Sequence, residues 1–168
     1  MSNSTTKKVY IRRFDRQLLA GYVTPQSYLQ SGGVEFLDRS AQVSLVPYEQ
    51  IKAVYFVRDF DGDPDADQKK VFTSRPKLDG LWVRLSFRDG EVLEGVLPNN
   101  LLLMEEHGLT LTPPDANANT QRVFVPRTAL QDLTVLGVIG SPVRRGGRRP
   151  KVPPKEQMDL FGTVNREP

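Results

Sequence analysis

The chain of 168 residues contains no cysteine, one histidine and one tryptophan. Without cysteine there is no disulfide framework, no thiolate nucleophile and no cysteine-based metal site. The sole histidine, His107, lies in the turn Glu105-Glu106-His107-Gly108, where only carboxylates are near it in sequence. That is the setting of a surface turn residue, not of a paired catalytic base. Glu105 and Glu106 are adjacent on an expected hairpin, so they point to opposite faces and read as solvated. A phosphate-binding Gly-Lys-Ser/Thr loop, a zinc-protease helix motif and a nucleophile elbow are all missing. The expectation is a protein that binds rather than catalyses, with no cofactor and no resident metal.

Long hydrophobic runs are missing too. No apolar stretch approaches a membrane span, and the polar segment Met1 to Lys8 is not followed by the apolar core of a signal peptide. A soluble, cytoplasmic protein without membrane association is expected. Apolar residues make up 38% of the chain, enough for one ordinary domain or two very small ones. Its oligomeric state is left open.

Net charge is +3 and the pI about 9.3, but the charge is unevenly placed. From Ser141 onward seven basic residues face three acidic ones, so this tail carries +4 and the body −1. Within the body, Met1 to Val57 holds seven basic and four acidic residues, and Leu81 to Gly140 holds four basic and seven acidic. A broad phosphate-binding surface is therefore compatible only with the first half and the tail.

What the chain does have is an internal repeat. Val9-Tyr10-Ile11, Phe14-Asp15 and Leu19-Ala20-Gly21-Tyr22-Val23 run beside Val83-Arg84-Leu85, Phe87-Arg88-Asp89 and Leu93-Glu94-Gly95-Val96-Leu97, with one extra residue in the second turn. Gly33 to Leu37 meets Gly108 to Thr112. Then Val46-Pro47, Ile51, Val54 and Phe56 meet Val125-Pro126, Leu130, Leu133 and Val135. Each copy reads as short strands of period two separated by turn residues, and no stretch has a helical period. In the second copy Trp82 to Phe87 alternates, Arg88-Asp89-Gly90 turns, and Val92 to Leu97 returns with Gly95 at a bend. Leu101 to Met104 and Leu109 to Thr112 continue the sheet, Pro113 to Thr120 is a loop, Arg122 to Val125 is a strand, and Leu133 to Val138 closes. Thr128-Ala129-Leu130 is long enough for a single helical turn.

This order of elements is similar to the Sm-like small barrel, over roughly Lys7 to Val57 and Leu81 to Val138. Sm proteins begin with a helix, for which Met1 to Thr6 is too short, so ring assembly of the usual Sm type is not implied. The expected fold is all-β: two tandem small five-stranded Sm-like or SH3-like barrels packed together, because each alone is too small for a deep core. Their boundaries are 1–57 and 81–140, with an acidic linker over 58–80 and a disordered basic tail over 141–168. Such a fold fixes no function.

The linker holds Asp59-Phe60-Asp61-Gly62-Asp63-Pro64-Asp65-Ala66-Asp67. Alternating aspartates suggest calcium, but an EF-hand loop counted from Asp59 would need Gly where Pro64 stands and an acid where Lys70 stands. A solvated, self-repelling loop balanced by Lys69-Lys70 is the plainer reading. Arg12 and Arg16 have the Arg-x-x-x-Arg spacing that resembles the cyclic-di-GMP receptor domain PilZ. That family's second motif is nearly met by Asp38 and Ser40, with Val43 where Gly is required for close backbone approach. By this resemblance the chain would be a cyclic-di-GMP sensor. Against it, Arg12 falls within an expected strand, where basic residues form a wet face.

After Gly140 the composition shifts to Arg144-Arg145-Gly146-Gly147-Arg148-Arg149-Pro150-Lys151, a basic linker unable to make a core. It reads either as a solubilising tether or as a contact for phosphates without sequence preference, through Arg144, Arg145, Arg148, Arg149 and Lys151. DNA and RNA remain equally open. Pro153-Pro154 then spaces Gln157-Met158-Asp159-Leu160-Phe161, an apolar island that needs a partner's groove. This pentamer resembles the short peptide by which many bacterial replication and repair proteins dock on the DNA sliding clamp: Gln, an aliphatic residue, a small or acidic residue, then Leu-Phe. The resemblance implies that Gln157 bonds backbone at the rim of the clamp's pocket while Met158, Leu160 and Phe161 fill it. It further implies an accessory factor of DNA replication or repair. The alternative is an RNA-binding protein in which the first barrel and the arginines hold the ligand.

Overall fold

Alternating side chains along short segments decide the secondary structure, because each segment can bury only one face. The computed structural model describes residues 6–140, which form eleven strands, three single 3-10 turns and no α-helix. The strands are β1 (Lys7–Arg13), β2 (Leu18–Val23), β3 (Leu29–Gln30), β4 (Gly33–Asp38), β5 (Val43–Pro47), β6 (Ile51–Val57), β7 (Gly80–Phe87), β8 (Val92–Leu97), β9 (Gly108–Leu111), β10 (Thr120–Pro126) and β11 (Leu130–Ile139). All pairings are antiparallel.

Eight strands form a sheet ordered β3-β4-β2-β1-β6-β10-β9, with β5 paired to β4, curled into an open half-barrel. β11, β7 and β8 form a second, three-stranded sheet. A bridge between Val96 and Thr112 joins the two, with amide to carbonyl distances of 2.9 and 3.0 Å. The ladders therefore make one continuous path, with β5 at one end and β11 at the other.

Pairings of the first half recur in the second. Val9 opposes Gly21 in β1·β2, and Val83 opposes Gly95 in β7·β8. Both glycines are required by close approach: a Cβ would lie 2.3 Å from the Leu37 carbonyl at Gly21, and 2.3 Å from Leu111 Cδ1 at Gly95. The two hairpin turns have the same length. The Arg13 amide donates to Gln17 O and the Phe87 amide to Glu91 O, with Arg16 (φ 69°) and Gly90 (φ 89°) in the left-handed position. Phe14 thus corresponds to Arg88, not to Phe87, and the extra residue inferred from sequence disappears.

Leu101 to Met104, expected as a strand, is a 3-10 turn over Leu101–Leu103 followed by loop. Asn100 causes the change, since its side-chain oxygen accepts the Leu102 amide at 3.0 Å and its carbonyl accepts that of Leu103. The linker also differs from expectation. Lys8 reaches Asp59 at 2.6 Å, and Arg12 reaches Asp63 at 2.6 Å and Asp65 at 3.5 Å. The Phe60 ring stands edge-on to Tyr10 and Tyr22. Basic residues of β1 draw in the aspartates, so this is a pinned strap and not a self-repelling loop.

Two apolar cores result, and neither belongs to one half. Val9, Ile11, Val34 and Val54 pack with Phe124, which comes from β10. Val83, Leu85, Leu111 and Val123 pack with Tyr10, Ala53 and Tyr55, which come from β1 and β6. Shared cores follow from the β6·β10 ladder, whose strands have one side chain in two facing each way.

Candidate functional site

The basic residues Arg144, Arg145, Arg148, Arg149 and Lys151 and the peptide Gln157, Met158, Asp159, Leu160 and Phe161 lie outside the described residues. The described residues include two clefts of several hundred Å³ and the one-sided edges of β5 and β11.

The first cleft, about 480 Å³, lies between the β1–β2 turn, the strap and the β7–β8 turn, and contains Arg12, Arg16, Lys52, Asp65 and Glu91. A bulge after Ile51, where Arg12 opposes Ala53 and Arg13 opposes Ile51, swings Lys52 out of register. Its ammonium reaches Asp89 at 2.6 Å and Glu91 at 2.8 Å, and the same nitrogen lies over the Phe87 ring, 5.2 Å from its centroid. Lys70 of the strap adds a second cation to Glu91 at 2.9 Å and contacts Asp65 at 3.5 Å. Charges thus alternate from Asp63 through Arg12, Asp65, Lys70, Glu91 and Lys52 to Asp89.

In this chain the hydrogen bonds from Lys52 and then Lys70 hold the Glu91 carboxyl at about 2, against an ordinary 4.5. A carboxylate depressed in the folded state contributes stability that is present above pH 4.5 and lost as pH falls toward 2. Glu91 is solvent-exposed, so screening reduces the effect, and Glu91→Gln is expected to cost about 1 kcal/mol at pH 7. Melting curves of both proteins across pH should diverge above pH 4.5 and converge near 2; equal spacing at every pH would disprove the assignment.

Arg12 bears on the nucleotide-sensor expectation. It is nearly buried, and its guanidinium is committed to Asp63, Asp65 and the Arg16 carbonyl. A phosphate would have to displace two carboxylates. Asp38 is committed too, since its Oδ1 accepts the amides of Ser40 and Gln42 at 2.8 and 2.9 Å and closes its own turn.

The second cleft, about 460 Å³, is lined by Lys7, Tyr28, Phe56, Glu105, Thr110 and Arg122, among others. Glu105 is half-buried, not solvated as expected, and accepts from the Thr110 hydroxyl at 2.8 Å. Burial raises its pKa despite the hydrogen bond. Burial likewise raises the Tyr28 phenol, with the Glu105 charge adding to it. His107 stacks on Tyr48 at 4.9 Å, while the Tyr48 hydroxyl donates to Gln30 O. Among the described residues, no group of three or more His, Asp or Glu side chains could hold a metal ion.

Sequence reasoning missed Glu94, 2% exposed and the most deeply buried charge of the body. Its carboxylate accepts from Arg84 Nη2 and Nε at 2.7 and 3.1 Å, from the Phe72 amide at 3.0 Å and from Trp82 Nε1 at 3.2 Å. Burial opposes ionisation, but these donors prevail and lower the pKa. Its equivalent in the first copy is Ala20, so the only signal was a Glu where the repeat has a small apolar residue.

Both strand edges are apolar. β5 presents Val43 and Leu45, 69% and 52% exposed, and β11 presents Leu133 and Val135, 36% and 51% exposed. No described helix is long and apolar enough to cross a membrane.

The ladders, shared cores and open edges define the class as an all-β chain of antiparallel strands. Within that class the chain belongs to DUF6982, a family of unknown function, whose family model matches residues 5–137. No curated protein and no solved structure matches it significantly.

Proposed function

We propose that this protein is a non-catalytic adaptor that docks on the bacterial DNA sliding clamp through Gln157, Met158, Asp159, Leu160 and Phe161. The body is read as two tandem Sm-like barrels, and Arg144, Arg145, Arg148, Arg149 and Lys151 as a contact for nucleic acid near the clamp. The observation that carries the reading is the pentamer itself: all five positions fit the clamp-binding pattern, in a segment with no other apolar cluster of its kind. Anchoring through Leu160 and Phe161 fits the rule that desolvated apolar side chains dominate small interfaces.

The arginines stand between body and peptide, which supports a shared role. Residues 141–156 span at most about 55 Å, even fully extended. A clamp encircles DNA, so a docked peptide would hold four arginines close to the duplex, and two weak contacts on one tether reinforce each other. The recurring strand pairings support the tandem-barrel reading, and the commitment of Arg12 and Asp38 within the body counts against the nucleotide sensor.

The test is calorimetric titration of a Lys155–Gly162 peptide into purified bacterial sliding clamp. Binding on the order of 1–10 μM is expected, and a peptide with Gln157, Leu160 and Phe161 changed to Ala should give no heat. If neither peptide binds, the clamp reading is overturned. Salt-sensitive RNA binding that survives deletion of 157–161 would favour the RNA-binding alternative instead.

A further inference from the structure

The chain contains one joint between its halves and, at its two ends, the parts of a second joint of the same kind. In the joint that is made, β6 pairs with β10: Val54 opposes Phe124, Tyr55 opposes Val123 and Phe56 opposes Arg122. β6 is the last strand of the first copy and β10 the fourth main strand of the second. Left unpaired are the last strand of the second copy, β11, and the fourth main strand of the first, β5. Among the described residues β11 pairs only with β7, and β5 only with β4.

Residue-level equivalence is fixed by more than sequence. Pro47 and Pro126 each precede a 3-10 turn, Tyr48–Gln50 and Arg127–Ala129, followed by Ile51 and Leu130 at matching caps. Each last strand then carries a bulge at the next residue, Lys52 in β6 and Gln131 in β11. Ladders agree as well: Val34 opposes Val46 where Leu109 opposes Val125, and Ile11 opposes Val54 where Leu85 opposes Leu133. Hence Val54, Tyr55 and Phe56 correspond to Leu133, Thr134 and Val135, and Phe124, Val123 and Arg122 to Leu45, Ser44 and Val43.

Carrying the β6·β10 register over to the open edges sets Leu133 against Leu45, Thr134 against Ser44 and Val135 against Val43. All four apolar residues of this register are exposed, and Val138 extends the exposed apolar row further along β11. Their counterparts Val54 and Phe124 are fully buried in the joint that is made, while Leu133 and Leu45 remain 36% and 52% exposed. Edge strands are ordinarily blunted by lysine, proline or inward charge. Here β5 has no charged residue, its proline stands at its end, and β11 has only Asp132.

We propose that β11 of one chain pairs antiparallel with β5 of a second copy, repeating between chains the β6·β10 joint made within each chain. Leu45 then enters the neighbour's core beside Leu133 and Leu85, as Phe124 enters beside Val54 and Ile11. The contact is head-to-tail, so every chain keeps one donor and one acceptor edge, and assembly either closes into a ring or continues.

The full-length chain should sediment as oligomers at about 100 μM. Leu45→Lys blocks β5 alone and Val135→Lys blocks β11 alone; each variant should be monomeric, and their mixture should give a 1:1 dimer and nothing larger. A symmetric contact would not yield that complementation. Far-ultraviolet circular dichroism checks that both variants fold. As a second reading, a Ser44→Cys chain and a Thr134→Cys chain, in a background without cysteine, should form a mixed disulfide on oxidation, because directly opposed strand residues lie within its reach. A wild-type monomer at every concentration overturns the proposal. So does assembly by both single variants, or assembly seen only after residues 141–168 are deleted, which would make the chain's own tail the occupant.

Discussion

Phe124→Ala should lower stability by about 3–5 kcal/mol and should do so for the whole body at once. The ring is fully buried, edge-on to Tyr28 at 5.9 Å, in a core otherwise supplied by the first half. Removing it leaves a cavity that the rigid ladder around Val54 cannot close. The only tryptophan, Trp82, lies in β7 of the other half, edge-on to Phe72 with its Nε1 on Glu94, and reports on that half. Urea unfolding followed by Trp82 fluorescence and by far-ultraviolet circular dichroism should give one coincident transition at a lower midpoint. A fluorescence midpoint unmoved while the dichroism shifts would mean that the halves unfold separately.

Glu94→Ala should be nearly as damaging, by about 2–4 kcal/mol. The substitution does more than remove a charge pair. It strips the Phe72 amide and Trp82 Nε1 of their acceptor and leaves Arg84 without its partner in a place where the carboxylate was 2% exposed. Arg84 is half-exposed and can turn to water, which keeps the loss below that of a fully buried pair. Glu94→Gln retains shape and two polar atoms and should cost roughly half as much. Thermal melts would separate the two, at about 2–4 °C per kcal/mol for a body of this size. Equal losses for Ala and Gln would show that the charge, not the acceptor geometry, is what matters.

The strands were largely legible, because β-structure writes itself in period two and Gly21 and Gly95 sit where the repeat aligns them. What was not legible depended on contacts between halves. Phe124 reads as an ordinary strand residue of the second copy, and nothing in its neighbourhood announces that it belongs to the first copy's core. The aspartates of the strap read as mutually repelling because their partners, Lys8 and Arg12, lie some fifty positions earlier in the chain. Lys52 is a strand lysine until a bulge turns it toward Glu91. Leu101 to Met104 looked like a strand because apolar residues dominate it, while Asn100, one residue earlier, diverts the amides. The proposed clamp peptide is the opposite case: five consecutive residues carry it, and no fold is needed to read them.

The end of β11 has a bearing on the region beyond it. Ile139 is registered against Gly80, and the Arg75 guanidinium donates to the Val138 carbonyl. The post from which the last residues depart is therefore fastened at the root of β7, beside the point where the strap enters. Anything held at the far end of those residues has its distance measured from that post, at the β7 side of the body.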